Sequence, residues 1–300
     1  MDVPTEPSAA AGRYRIGVAL GGGSARGYAH IGALASLERH GYAPDIVVGT
    51  SFGAVIGALY ASGRSPDALH SEAAAMRRRD VFPYIADFGL HKGALFDGRR
   101  LEAYFDAMIE GRSFEDLERP LVVVATDVDT GERVLLSRGR LAPALRASAS
   151  IPGVFAPVVI GGRRLMDGGI GSPVPFDTLR GFDVDLAIGI GAGMEAEDSR
   201  AIRAARSFLG TDVGRRLHRT LGQGAGTNVA ARLGRALAYA ADGWLSDTPD
   251  EATLHVHTRP PIHWLNFHRA EAAIRAGDDA LNRFMPQIQR ALAVAAGAAV

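Results

Sequence analysis

The chain has 300 residues, in which 33 basic and 33 acidic side chains cancel to no formal net charge, and 47% of the residues are hydrophobic. This composition excludes an intrinsically disordered chain, and the lack of excess positive charge gives no indication of a nucleic-acid partner. The chain contains no cysteine. Disulfides, thiolate zinc sites and cysteine nucleophiles are therefore excluded, and any covalent catalyst must use oxygen or nitrogen.

Residues 1–13 are predicted to form a short disordered tail. They contain no basic segment followed by a long apolar core, so they do not resemble a signal peptide. Nowhere does an uninterrupted apolar stretch reach the roughly 18 residues that a membrane-spanning helix requires. We therefore expect a cytoplasmic protein, with peripheral membrane contact as a further interpretation.

Short apolar runs that end in glycine alternate with helical patterns along the chain. The first run, Tyr14 to Leu20, ends in three glycines and is followed by a helical pattern from His30. The same order repeats after the run from Asp45 to Val48. Strands that alternate with helices predict an α/β fold with a mainly parallel sheet. Three further elements are predicted, namely strands over Leu121–Ala125 and Val184–Ile190 and a helix over Arg99–Ile109.

The clearest local motif is GTSFG at residues 49–53, a G-x-S-x-G between a predicted strand and a predicted helix. This arrangement is typical of a nucleophile elbow, in which small neighbours let the two backbones approach while the Ser51 hydroxyl points outward. The adjacent helix N-terminus would favour developing negative charge. The alternative is an ordinary turn with Ser51 near the helix N-cap.

A second glycine-rich motif, GGGSARG at residues 21–27, follows the first predicted strand. Its missing side chains would expose successive backbone N–H groups at a helix start, which is an arrangement that binds anions. The G-x-G-x-x-G dinucleotide fingerprint fits in neither register, and the chain has no Gly-Lys-Ser/Thr of a P-loop. An oxyanion hole beside the elbow would explain both glycine motifs together.

A serine nucleophile requires a general base, and the residues alone leave two candidates open. Ser51, Asp167 and His255 would follow the chain order of an α/β-hydrolase triad. Asp167 also lies within the glycine turn GGRRLMDGGIG at residues 161–171. A lone Asp-Gly is more often only a turn.

Taken in order, GGGSARGYAHIG at 21–32, GTSFG at 49–53 and DGG at 167–169 resemble the patatin-like phospholipase family, specifically its compact bacterial members. The segments ALFDGRRL (94–101), VATDVDTG (124–131) and RASASIPGVFAP (146–157) are also similar to that family. The resemblance implies a three-layer α/β/α sandwich with a mainly parallel central sheet. It implies a catalytic core over 14–191, with 192–300 as a C-terminal helical part packed on the same domain.

The resemblance also implies a Ser-Asp dyad, with Ser51 as nucleophile and Asp167 as its base, without a histidine, metal or cofactor. The remaining implied site residues are glycine-loop and turn positions. They are the oxyanion-hole residues Gly22, Gly23, Ser24, Arg26 and Gly27, the elbow glycines Gly49 and Gly53, and the glycines after the base, Gly168 and Gly169. Ser24 stands where many members have a third glycine, although its backbone N–H remains. Because an ordinary aspartate is a weak base for a hydroxyl, we expect Asp167 to be partly desolvated, with a raised pKa.

The segment 200–241 is strongly basic, with eight arginines and the single acid Asp212. A basic amphipathic helix that docks on anionic lipid headgroups would have this composition. An arginine-rich outer helix paired with acids elsewhere is the alternative interpretation. Trp244, Trp264 and Phe267 would supply interfacial aromatics or core.

The sequence as a whole predicts a serine hydrolase that acts on lipid acyl esters, with phospholipid or lysophospholipid as substrate and no nucleic-acid partner. Two alternatives stay open. One is a Ser-Asp-His esterase, and the other is a catalytically silent nucleotide-binding or scaffold protein that keeps the glycine loops as structure.

Overall fold

In the computed structural model, the residues described are 14–76, 94, 96–152, 154–192, 253–263 and 266–295. The predicted tail at 1–13, the basic segment 200–241, Trp244 and Trp264 lie outside the described residues. Among the described residues, no helix combines the length and the apolar character needed to cross a bilayer.

The strands form one eight-stranded sheet in which most neighbours run parallel. Five parallel strands occur in the order β3-β2-β1-β7-β8, and three shorter strands pair antiparallel at the β3 side. This is the predicted mainly parallel α/β sheet. The strand bounds are β1 Ile16–Leu20, β2 Ile46–Thr50, β3 Leu121–Asp127, β4 Arg133–Leu136, β5 Val158–Ile160, β6 Arg163–Asp167, β7 Leu186–Gly191 and β8 Thr253–His257.

Helices cover both faces of this sheet. Alternate strand residues point to opposite faces, so that Val18 packs into the larger core while Ala19 faces the smaller one. The smaller core is closed by Phe176 and Leu179 of a one-turn helix. The helix bounds are α1 Ala29–Arg39, α2 Phe52–Ala61, α3 Pro66–Ala75, α4 Arg99–Met108, α5 Leu141–Ser148, α6 Phe176–Leu179 and α7 Ala270–Ala295.

The C-terminal segment contributes a strand as well as a helix. Strand β8 extends the sheet beside β7, whereas only helical structure was predicted after residue 191. Helix α7 crosses α1 at close range through two glycines: a Cβ on Gly32 would lie 1.9 Å from the Ile274 carbonyl oxygen, and one on Gly277 would lie 1.8 Å from that of Ala29. These residues therefore belong to the same folded unit as the N-terminal strands.

The registers on β3 bring two strand ends together. Residues 121–124 of β3 pair with β2, and residues 125–127 pair with β6. Strand β4 pairs with residues 123–126. Because a strand has only two edges, β4 occupies one of them and β2 and β6 lie end to end along the other. Strand β2 runs parallel to β3 and β6 antiparallel, so their C-terminal ends face each other.

Candidate active site

Ser51 lies at a strained turn between β2 and α2. Its backbone has φ 54° and ψ −127°, in the positive-φ region that a residue with a side chain rarely adopts. Such a conformation costs about 1–3 kcal/mol and persists only where the surroundings hold it. The strand, sharp turn and helix are the geometry that the G-x-S-x-G motif predicted.

The two glycines of this motif are required by close backbone contacts. A Cβ on Gly49 would lie 2.4 Å from the Ala54 Cα, and a Cβ on Gly53 would lie 2.3 Å from the Leu20 carbonyl oxygen. Both contacts are with backbone, which cannot move aside without shifting the elbow. Gly49 and Gly53 therefore let α2 start directly against β2 and β1.

The side chains of Ser51 and Asp167 are directly hydrogen-bonded. The Ser51 Oγ donates to Asp167 Oδ2 at 2.8 Å, and the other carboxylate oxygen, Oδ1, accepts the Gly169 N–H at 2.8 Å. Asp167 is only 8% exposed. Burial raises its pKa to about 6, although the bonds from Gly169 and Ser51 oppose that shift. The raised pKa agrees with the desolvated aspartate expected from the sequence.

The turn after Asp167 is held against β3. Asp167 caps the short 3₁₀ helix Gly168–Ile170, and a Cβ on Gly168 would lie 2.3 Å from the Val124 carbonyl oxygen. A side chain at position 168 would push this turn away from β3. Gly168 thus fixes the position of the carboxylate that precedes it.

The glycine loop passes beside Ser51 as predicted, but its amides are not equivalent. The Gly22 N–H donates to the Pro173 carbonyl at 2.9 Å, so it already has an acceptor. The amides of Gly23 and Ser24 have no acceptor among the described residues. They begin the 3₁₀ helix Ser24–Tyr28, and Ser24 has φ 51°. The structure thus narrows the predicted oxyanion donors to Gly23 and Ser24.

Arg26 and Gly27, also predicted in the oxyanion hole, hold the loop in place. The buried Arg26 donates from Nε to the Ile262 carbonyl at 3.2 Å, and its backbone N–H donates to the Gly23 carbonyl at 3.1 Å. A Cβ on Gly27 would lie 2.7 Å from Cδ1 of the Phe52 ring. Gly27 therefore allows the loop to pack on the residue that follows the nucleophile.

A buried histidine that the sequence analysis did not assign to the site supports the same loop. His30 on α1 is fully buried, and its Nε2–H donates to the Gly21 carbonyl at 2.7 Å. Burial lowers the pKa of His30 to about 4, with the bond to Gly21 opposing the shift. The signal available in the sequence was a histidine in the first turn of the helix that follows the glycines.

An apolar cavity of about 590 Å³ opens onto Ser51. Helices α2, α3 and α4 supply aliphatic wall residues, and aromatic rings come from several elements. Phe267 packs edge to face on Phe52, with ring centroids 5.7 Å apart, and so belongs to the wall of this cavity. The cavity contains few polar groups besides the hydroxyls of Ser51 and Ser24. Its size and lining are those of a site for an apolar ligand.

The late histidines lie on the far side of the sheet from Asp167. His255 is on β8, which is separated from β2 by β1 and β7. Its ring packs against Phe176, with centroids 4.9 Å apart. The triad arrangement of Ser51, Asp167 and His255 is therefore not assembled, and the serine hydroxyl reaches the carboxylate directly.

Comparison with known proteins agrees with this geometry. The model of the family described as patatin-like phospholipase matches residues 18–180. An uncharacterized NTE family protein of Mycobacterium bovis is 38% identical over 187 residues, which are 62% of this chain and 51% of that protein. Patatin-like phospholipase domain-containing protein 6 of Homo sapiens is 33% identical over 186 residues, 61% of this chain and 14% of that protein.

The fold has a counterpart among solved structures. The crystal structure of VipD from Legionella pneumophila matches with a TM-score of 0.56 at 14% identity, covering 91% of this chain and 67% of that one. At this level of identity the likeness concerns the fold alone. In sequence, the matched region spans about half the length of the mycobacterial relative and a seventh of the human one.

Proposed function

The chain belongs to the patatin-like phospholipase family, and on that premise we propose that it hydrolyses acyl esters of lipids with Ser51 as nucleophile and Asp167 as general base. The observation that carries the proposal is the 2.8 Å hydrogen bond between Ser51 Oγ and Asp167 Oδ2 at the wall of an apolar cavity. Hydroxyl, base and space for an acyl chain thus occur together.

The reaction would proceed through an acyl-enzyme. The Ser51 Oγ attacks the ester carbonyl carbon while its proton moves to Asp167, and the tetrahedral intermediate collapses as the alcohol leaves with that proton. Water then attacks the acyl-serine ester and gives a proton to Asp167. The second intermediate expels Ser51, which regains the proton, and the fatty acid is released.

The amides of Gly23 and Ser24 are the proposed donors to the oxyanion of both tetrahedral intermediates. Both have no acceptor among the described residues, and the loop that carries them is fixed by Arg26 and His30. A preorganised donor costs no reorganisation when charge develops, and one such donor is typically worth about 10²–10³ in rate.

The raised pKa of Asp167 suits its proposed role as base. With a pKa of about 6 the carboxylate is mostly ionised at neutral pH, yet it is more basic than an exposed aspartate. A general base works best when its pKa lies near the operating pH. Burial in the turn after β6 therefore supports proton transfer from the serine.

The proposed substrate class is a glycerophospholipid or lysophospholipid with a fatty acyl chain. The cavity can bury that chain against aliphatic and aromatic side chains, and transfer of each methylene from water contributes about 0.8 kcal/mol. This burial favours a long acyl chain over a short one. The polar headgroup would remain outside the apolar cavity.

A fluorophosphonate probe tests the nucleophile directly, because it forms a covalent adduct with an activated serine. Intact-protein mass spectrometry should show one adduct on the wild-type protein and none on Ser51→Ala. Ser24→Ala removes the other hydroxyl on the cavity wall and should still take the label. Unchanged labelling of Ser51→Ala would rule out Ser51 as the nucleophile.

Turnover is tested with lysophosphatidylcholine micelles and phosphatidylcholine vesicles, by measuring the release of free fatty acid. The wild-type protein should release fatty acid, and Ser51→Ala should not. If the labelled wild-type protein releases no fatty acid from either lipid, the proposed substrate class is wrong while the serine nucleophile stands.

A further inference from the structure

The strained backbone at Ser51 needs a partner for its amide, and that partner is a buried serine on another helix. The Ser51 N–H donates to the Oγ of Ser148 at 2.8 Å. Ser148 is the last residue of α5 and is fully buried. It forms no part of the glycine loop, the elbow motif or the turn that carries Asp167.

The direction of this hydrogen bond is fixed by a second one. The Ser148 hydroxyl donates its only proton to the Val124 carbonyl at 2.6 Å, so the lone pairs of its oxygen remain to accept the Ser51 N–H. Val124 is the residue of β3 that pairs with Thr50. Ser148 therefore ties the nucleophile to the point on β3 where β2 ends.

The same segment also holds the base. Two residues after Ser148, the backbone carbonyl of Ser150 accepts the Asp167 N–H at 3.0 Å. Residues 148–150 thus bond to Ser51 through a side chain and to Asp167 through the backbone. Since both bonds come from one short segment, the segment sets the positions of the two backbones relative to each other.

Arg146 anchors this segment. It is buried, with 2% of its surface exposed, and donates from Nε to the Gly98 carbonyl at 2.8 Å and from Nη2 to the Ala156 carbonyl at 3.0 Å. Its Nη1 donates to the Ser150 hydroxyl. The end of α5 is therefore bonded on both sides, and it cannot shift without breaking these contacts.

We propose that Ser148 is a positioning residue, and that residues 148–150 form a brace that sets the distance between the Ser51 hydroxyl and the Asp167 carboxylate. The inference rests on the proposed function, because that distance matters only if the two groups exchange a proton. Without the Ser148 hydroxyl the Ser51 amide is buried with no acceptor, and the strained turn relaxes toward another backbone conformation.

The test compares Ser148→Ala and the isosteric Ser148→Cys with Ser148→Thr, which restores a hydroxyl. Ser36→Ala is the matched control, because Ser36 is also fully buried and its Oγ donates to Asn282 Oδ1 at 3.0 Å, on the helix pair α1 and α7. With a soluble acyl ester, we expect kcat to fall at least tenfold for Ala and Cys, with KM within about twofold. The Thr variant should regain at least fivefold over Cys.

A purely structural role for Ser148 would not move the pH profile. The hydrogen bond from Ser51 lowers the pKa of Asp167, so its loss in Ser148→Cys should move the rising limb of kcat against pH to higher pH. A kcat within twofold of wild type for folded Ser148→Cys, or equal kcat for Cys and Thr, would overturn the brace.

Amide hydrogen exchange separates failure of the brace from failure of the proposed function. The Ser51 N–H should exchange at least tenfold faster in Ser148→Cys than in wild type, and at the wild-type rate in Ser36→Ala. This measurement needs no substrate. If the wild-type protein hydrolyses no ester, the proposed function fails, and unchanged exchange at Ser51 would independently reject the brace.

Discussion

Thr50 and Asp167 pair with consecutive residues of the same strand, Val124 and Ala125, on the same edge of β3. Strand β2 reaches that point from one direction and β6 from the other. The residue after Thr50 is Ser51, so the two strands deliver the hydroxyl and the carboxylate to one point from opposite directions. A distance of 116 residues in sequence becomes one hydrogen bond of 2.8 Å.

Replacing Asp167 should have opposite effects on activity and on stability. Asp167→Asn removes the proposed base, and we expect turnover to fall by about 10³ or more. Because the folded state raises the pKa of Asp167 from 3.8 to about 6, ionising it above pH 6 costs stability, on the order of 3 kcal/mol. Urea unfolding at pH 8 should therefore show Asp167→Asn to be more stable than wild type.

Asp127→Asn is the matched control for this stability effect. The Arg163 side chain, at 2.6 Å, holds the pKa of Asp127 below its ordinary value, so its ionised form stabilises the fold. This variant should lose stability at pH 8. If both variants shift the free energy of unfolding in the same direction, burial of Asp167 is not the source of its raised pKa.

The activity should rise with pH as Asp167 loses its proton. The value of kcat/KM should increase through an apparent pKa of about 6 and then reach a plateau, because the ionised carboxylate is the active form. His255→Gln and His257→Gln should keep the wild-type profile. A loss of 10³ or more in either variant would restore the Ser-Asp-His triad.

The cavity should determine the preference for acyl-chain length. Leu101 on α4 lines the cavity, and Leu101→Trp would fill part of the space for an acyl chain. We expect kcat/KM for a sixteen-carbon ester to fall at least tenfold relative to a four-carbon ester. Ala103→Trp, on the exposed side of the same helix, should leave this ratio unchanged. Equal ratios in the two variants would place the acyl chain elsewhere.

Local features of the site could be predicted from sequence, whereas the contacts that join them could not. Gly49 and Gly53 mark the elbow because backbone crowding excludes side chains there. The register of β6 on β3 depends on pairing between distant segments, which periodicity does not encode. Ser148 carries no local motif, since a serine at a helix end is common, and its role appears only when Val124 and Ser51 approach it.

Strand β8 was missed for a similar reason. Its sequence Thr253–His257 is short and contains two histidines, so the alternation is weak, and only its pairing with β7 makes it a strand. The helix after Phe267 was predicted, because its apolar positions repeat at helical spacing over many turns.

His30 should make the stability of the fold depend on pH. Its folded pKa of about 4 lies below the ordinary 6.5, so the unfolded chain binds more protons between these values. Stability is therefore retained above pH 6.5 and lost as pH falls toward 4, by about 2 kcal/mol from this group between pH 7 and pH 5. In urea unfolding at these two pH values, His30→Gln should show a smaller decline than wild type. An equal decline would mean that His30 titrates normally.

Gly168 and Gly171 provide a matched pair for the turn that carries the base. A Cβ on Gly168 would lie 2.3 Å from the Val124 carbonyl oxygen, whereas the nearest atom to one on Gly171 is Thr126 Oγ1 at 3.8 Å. Gly168→Ala should therefore displace Asp167 from Ser51 and lower kcat at least a hundredfold, while Gly171→Ala should stay within about threefold of wild type. Thermal unfolding of both variants shows whether the fold survives. Similar kcat values for the two folded variants would mean that the position of the carboxylate does not depend on this close contact with β3.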